Sequence, residues 1–269
     1  MQLIKMFLFV LPSLLVPGLF NNALGKSNVL VCYGRLAPET IKGYGCVILE
    51  QEHYTDKEIR QIKSQNEKVL AYISLGEVNA HAKHYPLLKH QTLGKNGIWN
   101  SYYLDLKQEK TRSVLMKIIG DAIDSGYDGF FLDNLDNFSQ WGKQKDQKAD
   151  VVALLKSIFE KYPHYTFLQN AGLDLVSETA SYIDGIVIES VATDYTFNDK
   201  QYKLRDQSDF EARARRLQEI ARLYSLPITL IEYADTSALH DATEKRIKNL
   251  GFDYFIGQID LQTIPEFAN

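Results

Sequence analysis

The sequence of 269 residues predicts an α/β protein folded as a (β/α)8 barrel, and three observations carry that prediction. First, one short layout recurs: a turn residue or Asp, four mostly apolar residues, then a carboxylate or carboxamide. Asp128-Gly129-Phe130-Phe131-Leu132-Asp133 is matched position for position by Asp184-Gly185-Ile186-Val187-Ile188-Glu189, with looser copies at 45–50, 227–232 and 253–258. Second, these apolar runs are continuous rather than alternating, and amphipathic helical stretches separate most of them. That pattern belongs to a parallel sheet covered on both faces. Third, eight such units between residues 26 and 269 suit a (β/α)8 barrel, which typically takes about 250 residues. An open doubly wound sheet is the alternative, but no Gly-x-Gly-x-x-Gly loop follows any strand to make its usual ligand site.

The elements follow in order. Residues 1–25 read as a cleaved export signal: Lys5 is the only charge before Lys26, residues 6–20 are almost wholly apolar, and Ala23 and Gly25 supply small residues for cleavage. The apolar run is short and broken by Pro12 and Pro17, so no stable membrane insertion is expected after cleavage. An uncleaved anchor is the alternative. The expected mature domain is 26–269, exported to a periplasm or secreted. Strands are expected over 29–34 and 45–50. Thr55-Asp56-Lys57-Glu58 is a capping box that opens a helix with Ile59 and Ile62 on one face. A third strand covers 68–75, followed by a long polar and aromatic loop over 81–104. Val114, Leu115, Ile118, Ile119, Ala122 and Ile123 keep helical spacing over 106–125, with Gly126 past the helix end. The fourth strand is 128–133. A helix over 149–162 turns Val152, Leu155, Ile158 and Phe159 inward and stops before Pro163. The fifth strand is 165–170, a short helix covers 173–181, and the sixth strand is 184–189. A polar loop with Asp194, Tyr195 and Phe197 follows. Ser208-Asp209-Phe210-Glu211 reads as a second capping box, for a helix reaching Tyr224. Strand seven is 228–233, a helix runs from Thr236 to Gly251, and strand eight is 254–258.

Composition narrows function. The chain is 45% hydrophobic and 24% charged, ordinary for a globular protein, with a formal net charge of −4 that argues against a nucleic-acid partner. Cys32 and Cys46 are the only cysteines. Both lie in apolar strand runs, as buried small hydrophobes or, if the strands are neighbours, as a geometrically demanding bridge.

In a barrel, residues at the C-terminal strand ends face the active site. Glu50, Asp133, Glu189, Glu232 and Gln258 then converge on one rim. Trp99, Tyr102, Tyr103, Phe138, Trp141, Tyr195, Phe197 and Tyr233 lie in or beside its loops. Two carboxyl groups working as a pair, amides to grip hydroxyls and rings to stack on sugar faces are the equipment of glycoside hydrolysis.

The segments Tyr72-Ile73-Ser74-Leu75-Gly76-Glu77, Tyr103-Leu104-Asp105, Gly126-Tyr127-Asp128-Gly129-Phe130-Phe131-Leu132-Asp133-Asn134, Gln169-Asn170 and Ile188-Glu189 stand in a telling order. In that order and setting they resemble the glycoside hydrolase family 114 barrels, the endo-α-1,4-polygalactosaminidase group. The resemblance spans essentially the whole mature chain. It implies retaining cleavage of α-1,4-linked, galactosamine-containing cationic polysaccharide without a metal or cofactor, with Asp133 as nucleophile and Glu189 as acid/base.

Glu77, Asp105, Asn134, Asn170, Tyr195, Glu232 and Gln258 are the candidate substrate-binding residues. Several have plain structural alternatives: Asp105 as a cap for the following helix, Asp136 as a solvated loop acid, Glu50 and Glu232 as ion-pair partners, and each aromatic as packing. The expected partner is an amino-sugar polymer, and the protein is expected to act as a monomer. Two other classes stay open. His81 and His84 beside Glu77 suggest a metal-dependent hydrolase or deacetylase. A non-catalytic polysaccharide-binding barrel would keep the aromatics and amides without needing two paired acids.

Overall fold

The computed structural model describes residues 28–268; the expected signal segment 1–25 lies outside them. In chain order the elements are β1 (Val29–Cys32), β2 (Cys46–Glu50), α1 (Asp56–Lys63), β3 (Lys68–Ser74), β4 (Glu77–Asn79), α2 (Tyr85–Leu88), β5 (Thr92–Asn96), β6 (Ser101–Leu104), α3 (Glu109–Ser125) and β7 (Gly129–Asp133). They continue with α4 (Lys148–Lys161), β8 (Thr166–Asn170), α5 (Val176–Thr179), β9 (Gly185–Glu189), β10 (Thr193–Thr196), β11 (Gln201–Leu204), α6 (Gln207–Tyr224), β12 (Ile228–Tyr233), α7 (Ser237–Ile247) and β13 (Asp253–Gly257).

Eight of these strands form one sheet in the order β1-β2-β3-β7-β8-β9-β12-β13, every neighbouring pair parallel. The ring is drawn nearly closed beyond the first and last strands, where the Tyr33 N–H donates to the Leu261 carbonyl at 2.7 Å. This is the (β/α)8 barrel. Its strands read as unbroken apolar runs because both faces are covered: Val29 to Cys32, Cys46 to Leu49 and Phe130 to Leu132 are all buried.

The recurrent Asp-Gly has a physical reason. The Asp128 carboxylate accepts the Val69 N–H at 2.9 Å, and the Asp184 carboxylate accepts the Phe167 N–H at 2.8 Å. Each Asp therefore docks its strand onto the start of the neighbouring one. The glycine of β7 then passes close to that neighbour: a Cβ on Gly129 would sit 2.1 Å from the Thr166 carbonyl oxygen.

The helices follow their apolar spacing. The Thr55–Glu58 capping box is formed, and Gly126 ends α3 in the left-handed conformation at φ 99°. Other boundaries differ from expectation. Helix α3 starts at Glu109, because Asp105 holds the preceding turn through the Lys107 N–H and the Gln108 amide. Helix α4 buries Val151, Leu154, Leu155 and Ile158, one step round from the face expected. Helix α5 keeps only four residues. Helix α6 begins at Gln207, so Ser208 lies inside it and no second capping box forms; the Glu211 carboxylate takes the Gln207 amide instead.

Two insertions rise from the C-terminal side of the barrel. The stretch read as a loop over 81–104 belongs to a three-stranded antiparallel sheet, β4-β6-β5, and the polar loop after β9 is the hairpin β10–β11. Cys32 and Cys46 are buried free thiols on adjacent strands. Among the described residues no helix is long and apolar enough to cross a membrane.

Candidate active site

Strands β7, β8 and β9 end on Asp133, Asn170 and Glu189, and each is followed at once by a residue in the left-handed region: Asn134 (φ 62°), Ala171 (φ 57°) and Ser190 (φ 55°). Non-glycine residues pay for that conformation, on the order of 1 kcal/mol each. Three neighbouring strands thus turn sharply as soon as they have delivered a polar side chain to the barrel mouth.

Asn170 joins the two acids. Its Nδ2 donates to Asp133 Oδ1 at 2.8 Å and to Glu189 Oε1 at 2.7 Å. Those oxygens therefore lie no farther apart than the sum of the two distances, 5.5 Å. The amide can face only one way, since a flipped carbonyl would point at two carboxylates. Each acid has a second donor: the Tyr72 hydroxyl gives to Asp133 Oδ2 at 2.7 Å, and the Tyr233 hydroxyl gives to Glu189 Oε2. Burial and the adjacent carboxylates push both phenols well above their ordinary range, so they stay protonated donors.

The two carboxyls differ electrostatically. Burial raises both. For Asp133 the opposing influences are the hydrogen bonds from Tyr72, Asn170 and its own turn. For Glu189 the next largest influence after burial is the charge on Asp133, which raises it further. Glu189 is thus the group whose surroundings favour holding the proton.

The cleft around them has a volume of about 760 Å³. Its lining carries the acids Glu50, Glu77, Asp133, Asp136, Glu189 and Asp260, against the cationic Arg213 and the imidazole of His84. Glu77 lines the cleft while fastening the inserted sheet, accepting from Asn96, Ser101 and Asn137. Asn134 lines it with its Oδ1 taken by the Ser74 hydroxyl at 2.5 Å.

Glu50 stands at the end of β2, where its carboxyl accepts weakly from the Glu52 N–H at 3.4 Å, and burial raises it to about 7. A carboxyl with a raised folded pKa binds more protons in the folded state, so its contribution to stability falls as pH climbs from about 4.5 to about 7. We expect Glu50→Gln to raise stability near pH 8 by up to about 3 kcal/mol and to do little near pH 4.5. Thermal melts of both proteins at the two pH values check this; an equal shift at both would refute it.

Four sequence-expected site residues lie elsewhere. Glu232 is fully buried beneath the 191–193 turn and accepts the N–H groups of Val191, Ala192 and Thr193 and the Thr193 hydroxyl. On β12 it is Tyr233 that faces the barrel mouth, one residue out of phase with the aligned repeat. The Asp105 carboxylate binds Gln147 and the turn before α3, outside the cleft lining. The Gln258 amide donates to the carbonyls of Ala234 and Glu266, tying down the C-terminal stretch. The Tyr195 ring packs against Phe197 and Tyr202, at 5.0 and 4.7 Å between centroids. Of the loop aromatics, Trp99 and Tyr233 line the cleft, Phe138 is core, and Trp141 is 88% exposed away from it.

Tyr233 lines the cleft as one of the rim aromatics expected, and the structure adds two members that strand reading passed over, Tyr33 and Tyr72. Their signal was the period of two, since Tyr72 stands two before Ser74 on a strand expected to end at the rim. The histidine reading finds no ligand set. His84 pairs with Glu52 at 3.2 Å, and among the described residues no three His, Cys, Asp or Glu side chains are grouped to hold a metal ion.

A parallel barrel with two carboxylates facing each other across its C-terminal mouth defines a glycoside hydrolase architecture. The sequence model of glycoside-hydrolase family GH114 matches residues 32–268, and the chain belongs to that family. Among solved structures the fold is similar to the glycoside hydrolase domain of PelA from Pseudomonas aeruginosa, with TM-score 0.78 and 24% identity over 89% of this chain and 98% of that one. It is also similar to Aspergillus fumigatus Ega3 in complex with galactosamine, with TM-score 0.69 and 15% identity over 89% of this chain and 93% of that one. A more distant likeness is the α-galactosidase TtGalA from Thermus thermophilus, with TM-score 0.57 and 12% identity over 87% of this chain and 58% of that one. No curated sequence matches the chain significantly.

Proposed function

We propose that this glycoside hydrolase cleaves α-1,4-linked, galactosamine-containing, partly deacetylated polysaccharide with retention of anomeric configuration, as an exported monomer. The single observation that carries the mechanistic part is the Asn170 amide shared by Asp133 and Glu189. A bound of 5.5 Å between the carboxylate oxygens agrees with the roughly 5–5.5 Å of retaining enzymes and falls short of the roughly 6.5–9.5 Å that leaves room for an inverting water.

In this reading Asp133 attacks the anomeric carbon while the glycosidic C–O bond breaks. Glu189 gives its proton to the departing oxygen. Water then attacks the glycosyl–Asp133 ester, Glu189 takes the water's proton, and Asp133 leaves as carboxylate, restoring both groups. Tyr72 holds Asp133 and Tyr233 holds Glu189 in place for both steps. Asn134, Asn170 and Glu77 are the proposed sugar-binding groups on the cleft wall. Support for a cationic amino sugar comes from the excess of carboxylates in the lining, since a field of one sign concentrates the opposite charge. The galactosamine bound to Ega3, a neighbour in fold, points the same way.

The test is the first-formed product from α-1,4-galactosaminide oligomers, followed by NMR. Release of the α-anomer is expected. Initial β-anomer would overturn retention, and cleavage of other α-glycans with none of galactosaminides would overturn the substrate.

A further inference from the structure

The two insertions leave the barrel from β3 and from β9. Around the ring these strands are separated by β7 and β8 on one side and by β12, β13, β1 and β2 on the other. Their tips nevertheless meet. Trp99, in the turn between β5 and β6, places its ring edge-on to Phe197, in the turn between β10 and β11, with centroids 5.3 Å apart and planes at 90°. Trp99 lines the cleft and Phe197 does not, so the contact stands at the edge of the mouth.

The join is slight. Among the described residues no hydrogen bond or ion pair links the inserted sheet to the hairpin, so one ring pair holds the tips together. Each side is well founded at its base. Glu77 fastens the sheet through Asn96 and Ser101. Tyr195 packs edge-on against Phe197 and Tyr202 edge-on against Tyr195, and the Tyr202 hydroxyl accepts the Ile259 N–H at 3.1 Å from another part of the cleft wall. The rings stay half-open to solvent, Trp99 at 50% and Phe197 at 45%, which leaves large apolar faces uncovered beside the cleft.

Two firm supports, a weak central join and exposed rings suit an element that parts and closes. We propose that Trp99 and Phe197 form a clasp that closes over a polysaccharide chain lying in the cleft, and that it sets a preference for long chains over short ones. A short sugar enters the cleft without spanning the mouth. A long chain runs beneath the tips and emerges on both sides, so it is held only while the rings meet above it. This inference rests on the cleft being a polysaccharide site.

The chain has two tryptophans, so Trp141→Phe leaves Trp99 as the sole indole reporter. In that background, with Glu189→Gln added to slow turnover, titration with α-1,4-galactosamine polymer is expected to shift Trp99 emission, and a disaccharide is expected to shift it far less. Phe197→Ala, and Phe197→Leu as a bulkier check on folding, should weaken polymer binding by about ten-fold and at least five times more than disaccharide binding. Equal weakening of both ligands, or unchanged Trp99 emission with polymer bound, would overturn the clasp. If the wild type neither binds nor cuts galactosamine polymers, the substrate assignment fails instead, and the same titration with the polysaccharide it does cut decides the clasp.

Discussion

Under the proposed retaining mechanism, Asp133→Asn is expected to lower kcat by about 10⁴-fold or more on every glycoside tested, because Asp133 is the group that forms the covalent bond to the sugar. Glu189→Gln should behave differently. On the natural polymer the loss is on the order of 10²–10⁴-fold, the usual worth of a general acid. On an aryl glycoside with an acidic phenol the leaving group needs no proton, so the first step is largely spared. A similar loss for both substrates in Glu189→Gln would remove Glu189 from the acid role. The pH profile supplies a second check. In the proposed mechanism activity requires Asp133 ionised and Glu189 protonated, so the rate should rise with pH as Asp133 deprotonates and fall as Glu189 does. Burial raises both groups, which moves the bell toward neutrality, and Glu189→Gln should erase its alkaline limb.

Glu232→Gln is expected to be the opposite kind of variant, costly in stability rather than chemistry. Its two oxygens accept three backbone N–H groups and a hydroxyl from residues 191–193, all buried. Replacing one oxygen with an NH2 group aims a donor at donors and leaves N–H groups unpaired. The cost is about 2–4 kcal/mol, or roughly 10 °C in Tm for a domain of this size. Measured well below that Tm, kcat/KM should change less than ten-fold. An unchanged Tm with activity lost would mean that Glu232 meets substrate after all.

The barrel was legible because its evidence is local: each strand states its own apolar run, and each helix its own period. The two acids that meet, Asp133 and Glu189, were legible for the same reason, standing at the ends of matching repeats. What was not legible depends on how neighbouring strands are offset. Glu232 aligns with Asp133 in the repeat, yet the stagger between β9 and β12 pairs Ile231 with Glu189 and turns Tyr233 to the mouth. No strand carries that offset in its own residues. Tyr72 was passed over although its own strand places it two residues before Ser74. The insertions escaped for another reason. Thr92-Leu93-Gly94-Lys95-Asn96 has no alternation and little apolar content, because its strand is held by side chains such as Glu77 rather than by a buried face. Asp105 shows the limit of motif reading, for its place after Tyr103-Leu104 is as expected while its partners are Gln147 and a helix-starting turn.

The pairing of β1 with β2 sets Val29 opposite Cys46 and Cys32 opposite Leu49, so the two sulfur-bearing residues are three steps out of line. At about 3.3 Å per step they stand roughly 10 Å apart along the strands, beyond the reach of a disulfide. Burial also pushes both thiols up, which keeps them unreactive. The folded enzyme therefore needs no oxidant to mature and loses nothing to a reductant, so its endurance is the same in oxidising and reducing surroundings.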